Sequence, residues 1–219
     1  MVAFTPLALA AALATTASAH FGLEYPVWRS PTLGTGHNYS QWTYPCAGVP
    51  ADLPNGNRTD WPLKGGSVVL DLHHPWTYVF INLGLGANVS NFNYTLTPEF
   101  WNATGNGTLC VPELLLPTEL NVTDGTQGSI QVVTLGDSGS ALYNCADITF
   151  RGSAKALEGD ACKTTEGLKY APVKAAAASS GNATTGDAPK NAGSTVSGSL
   201  VTLSLVAGLA VLFTFGIAL

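Results

Sequence analysis

His20 is the residue whose place in the chain most changes the chemistry open to it. The apolar run Phe4 to Ala14, followed by Ala17-Ser18-Ala19, reads as a signal peptide over residues 1–19 with cleavage after Ala19. A cut there leaves an α-amine on the same residue as an imidazole. Amine and ring Nδ1 together can close a chelate on one metal ion, which an internal histidine cannot do. Nitrogen-rich, tetragonal sites of this kind suit Cu(II). A histidine that merely happens to follow a cleavage site is the competing explanation, so further ligands must decide.

The chain holds four histidines, His20, His37, His73 and His74. His37 lies in a Gly/Asn-rich loop and reads as solvated. His73-His74 ends a strand just before Pro75. Along that strand Val68, Leu70 and Leu72 share a face with His74, and Ser67, Val69 and Asp71 share the other with His73. A histidine closing an apolar face needs a partner, which a metal or a carboxylate supplies; a satisfied core histidine is the plainer alternative. Among the acids, Asp147 stands out. It shares a strand face with Tyr143 and Cys145, and an inward acid is expensive unless paired, hydrogen-bonded or bound to a metal. Asp137 is its rival, although Leu-Gly-Asp-Ser-Gly is ordinary turn chemistry. Asp71 and Asp52 have no comparable argument.

Other metal designs are excluded. A blue-copper site wants a cysteine with two histidines and a weak axial methionine, yet the sole methionine, Met1, leaves with the signal peptide. Methionine-rich copper ladders fail for the same reason, and no HExxH metalloprotease signature exists.

The elements that must hold these residues read as short strands. Ser67 to His74, Thr77 to Leu83, Ser129 to Leu135 and Ala141 to Phe150 are rich in Val, Ile, Thr and aromatics. Gly65-Gly66, Gly84 to Gly86, Asn106-Gly107, Asp124-Gly125 and Gly136 to Gly139 punctuate them. No segment sustains helical periodicity for three turns. The four cysteines, Cys46, Cys110, Cys145 and Cys162, form an even set in an oxidising compartment and predict two disulfides with three possible pairings. The expectation is an all-β antiparallel sandwich over residues 20–170. Trp42, Trp61, Trp76 and Trp101 are expected as core or rim packing.

Beyond the sandwich, residues 171–199 are rich in Ala, Ser, Gly and Thr and cannot bury a core, so a glycosylated stalk is expected. Residues 200–219 carry no charge, and the last basic residue is Lys190. A membrane span normally continues into Lys or Arg. The tail is therefore expected to be a removed glycosylphosphatidylinositol (GPI) signal, with attachment near Asn191 or at a small residue such as Gly186. Removal of both apolar ends would make the positive mean hydropathy of the full chain misleading. Eight sequons, at Asn38, Asn57, Asn88, Asn93, Asn102, Asn106, Asn121 and Asn182, predict a glycoprotein. The net charge of −5 offers no basic patch for nucleic acid.

Taken together, the mature N-terminal histidine, QWTYPC (Gln41 to Cys46), HHPWTYVFINLGLG (His73 to Gly86) and LYNCAD (Leu142 to Asp147) resemble the fungal copper acquisition factors, surface proteins related to lytic polysaccharide monooxygenases. The resemblance covers His20 to Cys162. It implies an immunoglobulin-like sandwich holding one Cu(II) in a histidine brace: the His20 amine and ring, His74, and Asp147 in the CAD motif, with His73 open as a substitute for His74. It also implies a Cys46–Cys145 disulfide, which leaves Cys110 with Cys162. A carboxylate on the metal favours Cu(II) over Cu(I), from which oxidative cleavage begins. The expected function is thus non-catalytic copper acquisition or homeostasis at the outer plasma-membrane face or cell wall, held by a GPI anchor. A copper transporter and wall glycans are its expected partners. A monooxygenase acting on wall polysaccharide is the alternative, and a metal-free structural wall glycoprotein the second.

Overall fold

The structure is a computed structural model describing residues 20–174, apart from 35, 37, 52, 54, 55, 137 and 138. His37, Asp52, Asp137, Asn182 and Asn191, together with the expected signal peptide, most of the stalk and the GPI signal, lie outside the described residues. Among those described, no helix is long and apolar enough to cross a membrane.

Among the described residues, ten strands and one 3-10 turn follow in order: β1 (Phe21–Tyr25), β2 (Arg58–Pro62), β3 (Gly65–Leu72), β4 (Trp76–Leu85), β5 (Tyr94–Thr95), β6 (Trp101–Thr104), β7 (Gly107–Leu115), β8 (Gln127–Leu135), β9 (Ala141–Arg151), the turn Gly159–Cys162 and β10 (Lys169–Pro172). A three-stranded sheet β1-β3-β7 packs on a larger sheet ordered β10-β6-β4-β8-β9-β2, with β5 against β4. This is the expected sandwich with one difference: β2 runs parallel to β9.

Alternation builds the core. Val68, Leu70 and Leu72 of β3, Val79, Ile81 and Leu83 of β4, Ile130 and Val132 of β8, and Ala146, Ile148 and Phe150 of β9 are buried in one apolar cluster. Trp61 is fully buried, its ring edge-on to Phe150 and its Nε1 donating to the Ser67 carbonyl at 3.1 Å. Trp101 packs on the same core. Trp42 does not; it is 45% exposed.

Two disulfides tie the sandwich, Cys46–Cys145 and Cys110–Cys162, in the pairing the resemblance implied. The first fastens the long segment between β1 and β2 across the outer face of β9, so both faces of that strand are covered.

Candidate metal centre

Antiparallel pairing brings the candidate ligands together. Phe21 of β1 pairs with Leu72 of β3 and Gly22 with Asp71. One further step of the same register sets His20 beside His73, with His74 next along the chain. His20, His73 and His74 line one small cavity of about 10 Å³ with Phe21, Leu72, Thr77 and Thr134. Burial, and the nearness of His73 and His74, hold the His20 ring below the usual imidazole pKa.

The two neighbouring histidines differ. His73 is exposed, and its Nε2 lies 2.7 Å from Asp71 Oδ2. His74 is half-buried, and its Nε2 is buried without a hydrogen-bond partner. An orphaned buried nitrogen is destabilising unless something outside the chain fills the gap. Gly136 closes that side: a methyl there would lie 3.8 Å from His74 Cγ. Between His73 and His74, left open by the sequence, the unsatisfied ring is His74.

Asp147 is not brought to this cluster. It pairs with Ser129 across β8 and β9, whereas Leu135, next to Gly136 at the histidine end, pairs with Ala141. Six residues of strand separate the two ends, about 20 Å at 3.3 Å per residue. Asp147 is indeed buried, but on the outer face of the sheet under the segment after β1. There Arg29 Nε donates to both carboxylate oxygens, at 3.0 and 2.9 Å. The Ser129 hydroxyl donates to Oδ1 as well. Arg29 Nη2 donates to Ser129 Oγ at 3.0 Å and to the Val89 carbonyl at 3.1 Å, and Nη1 to the Val49 carbonyl at 3.4 Å. This buried acid is held by an arginine and a serine and stands away from the histidines, so the expectation that placed it on a metal is corrected. The chain has only nine Lys and Arg, and a search among them for a buried cation could have found Arg29.

Sequence reasoning also missed what positions His20. Gln41, Thr32 and Asn144 are all buried around the first strand residue. Phe21 N–H donates to Gln41 Oε1 at 3.1 Å, and the Phe21 carbonyl accepts from Gln41 Nε2 at 2.8 Å and Asn144 Nδ2 at 3.0 Å. Thr32 Oγ1 bridges the two amides, accepting from Gln41 Nε2 and donating to Asn144 Oδ1. Gln41 and Asn144 come from the QWTYPC and LYNCAD segments, so both motifs hold the main chain next to His20.

Among the described residues, no three His, Cys, Asp or Glu side chains form a metal-holding group. A brace asks less of side chains: two rings, with the third nitrogen from the α-amine that cleavage before His20 would free. His20 and His74 fit that requirement. Above them a wider pocket of about 430 Å³ is lined by His20, Thr32, Leu33, Tyr39, Trp42 and His73. The Trp42 ring stands edge-on to His20 at 6.2 Å, with Tyr44 nearby in the chain and 60% exposed.

An immunoglobulin-like sandwich gathering three histidines at the start of its first strand is the class of domain these elements define. The chain belongs to the copper acquisition factor BIM1-like family, whose family model matches residues 18–167. It is 40% identical over 119 residues to a lytic polysaccharide monooxygenase-like protein of Emericella nidulans, covering 50% of this chain but only 48% of that relative. It is 33% identical over 163 residues to the lytic polysaccharide monooxygenase-like protein ham-7 of Neurospora crassa, covering 67% of this chain and 70% of the relative. With the copper acquisition factor BIM1 of Cryptococcus neoformans it shares 26% identity over 163 residues, 68% of this chain and 67% of that one.

Proposed function

We propose that the chain is a cell-surface copper-binding protein that captures or hands on Cu(II) and does not cleave polysaccharide. The observation that carries this is the buried, partnerless Nε2 of His74 in the cavity it shares with His20. Family membership supports copper as the metal. The His20 amine and ring and the His74 ring would hold one ion, and copper bound there supplies a tight, pH-sensitive store. Asp147 is not among the ligands, because its carboxylate is held by Arg29. Negative charge near the site comes from Asp71 at its mouth, and Asp137 follows Gly136 in the chain and is the next acid to test. Such charge favours Cu(II) over Cu(I). Secretion, a GPI anchor on the outer plasma-membrane face, wall glycans and a copper-transporter partner complete the proposal.

The monooxygenase alternative has one observation in its favour: exposed Trp42, edge-on to His20, is suited to stacking on sugar rings. Copper titration followed by electron paramagnetic resonance, on protein sequenced to begin at His20, tests the first reading. One Cu(II) per molecule with nitrogen hyperfine structure is expected, and no stoichiometric binding defeats it. Oxidised oligosaccharides formed from wall polysaccharide with ascorbate would establish the alternative.

A further inference from the structure

The outer face of the large sheet carries a row of aromatic rings on β4 and just before β6. Trp76, Tyr78 and Phe80 of β4 alternate with the buried Thr77, Val79 and Ile81 and so point away from the core. Phe100, just before β6, joins them. Ring centroids lie 5.4 Å apart for Trp76–Tyr78, 5.2 Å for Tyr78–Phe100 and 4.9 Å for Phe80–Phe100. All four side chains are partly exposed.

A sequon, Asn102-Ala103-Thr104, is set into this row. In a strand, residues i and i+2 share a face. Asn102 and Thr104 therefore stand in line with Phe100, while Ala103 is buried beneath. Register sets Asn102 opposite Tyr78 and Thr104 opposite Trp76. On its other side Asn102 faces Ala171 of β10, a side chain too short to crowd a substituent. The Asn102 Oδ1 is buried and has no hydrogen-bond partner in the protein. Asn38, Asn57, Asn88, Asn93, Asn106 and Asn121, by contrast, are simply exposed.

We propose that Asn102 carries an N-linked glycan whose first N-acetylglucosamine lies over Tyr78 and Phe100 and covers the aromatic row. Attachment precedes folding, so the strand position is no obstacle. Asn102 Nδ2 attacks C1 of a lipid-linked oligosaccharide; the N–C1 bond forms, the C1–O bond to the diphosphate breaks, and Nδ2 gives up one proton. The apolar C–H face of the sugar packs on the rings while its hydroxyls stay in water. Its hydroxyl and acetamido groups bring donors to an oxygen that lacks one. The glycan thereby removes an exposed apolar patch.

The test uses the full chain secreted from a yeast host. Glycopeptide mass spectrometry is expected to find Asn102 occupied. Thermal melts then compare intact protein, protein trimmed enzymatically to one N-acetylglucosamine, and Thr104→Ala, each with and without Tyr78→Ala; Thr104→Ser, which keeps the sequon, is the control. Trimming should leave Tm unchanged. Thr104→Ala should lower it by about 2 to 4 °C, the usual response of a domain this size to a contact of this kind, and should raise hydrophobic-dye binding. In the Tyr78→Ala background, or with Phe100→Ala if that variant misfolds, the glycan's effect should fall by at least half. A bare Asn102, or a Tm loss independent of both rings, overturns the proposal. So does dimerisation, or binding of soluble wall polysaccharide, that Tyr78→Ala abolishes in glycosylated protein.

Discussion

Gln41 grips the main chain of Phe21 from both sides, accepting from its N–H at 3.1 Å and donating to its carbonyl at 2.8 Å. The residue next to the proposed metal-binding amine is thus fixed by a fully buried side chain. Gln41→Ala should lower stability by about 1 to 3 kcal/mol, because Phe21 N–H is left buried and unpaired. It should also weaken copper binding and broaden the copper spectrum, since His20 is no longer held at one angle. Denaturant melts and copper titration on the same preparation check this. A destabilised protein with unchanged copper affinity would show that the clamp serves the fold alone.

His74→Ala removes a buried nitrogen that has no partner in the metal-free chain. Metal-free stability should fall by less than a typical buried-histidine truncation would suggest, while an equatorial nitrogen disappears from the spin-resonance pattern and copper affinity falls sharply. His73→Ala, which breaks only a half-exposed contact with Asp71, should leave the nitrogen count alone. Reversal of these two outcomes would move the ligand to His73.

Asp147→Asn strips the partner from a buried guanidinium. Removing one member of such a pair leaves an uncompensated charge and is expected to cost about 3 to 5 kcal/mol in a urea melt. The copper spectrum should stay as in the unaltered protein. If the spectrum changes while stability holds, Asp147 is a ligand after all.

Proton linkage at His20 has a definite sign. Its folded pKa is depressed by burial and by His73 and His74, so the unfolded chain takes up the proton first as pH falls. The stability contribution is complete above about 6.5, the unfolded value, and is lost as pH drops through the depressed folded value. Metal-free Tm should therefore decline between pH 7 and pH 5, in about that window, more in the unaltered protein than in His20→Gln. Copper affinity should weaken over the same range, because the ring and an amine of reference pKa about 8 must both lose protons to ligate. Parallel Tm profiles for the two proteins would remove His20 from the linkage.

Local sequence was enough for the strands. Alternation in Ser67 to His74 and Ala141 to Phe150 is a property of consecutive residues, so β3 and β9 were legible to within a few positions. The signal-like run before His20 is equally local. His73 and His74 lie just past the end of β3, one difference from the sequence reading, yet His74 still shares a cavity with Leu72. Two things were decided by tertiary structure. One is which face of β9 is the core: Asp147 lies on the side away from the opposing sheet, and it is buried only because a disulfide draws Cys46, and the segment that carries Arg29, across that side. The other is how the N-terminus is held, since Gln41 and Asn144 lie 20 and 123 residues from Phe21. Period and composition describe neighbours along the chain; a carboxylate's partner and an amide clamp are chosen by residues that only folding makes neighbours.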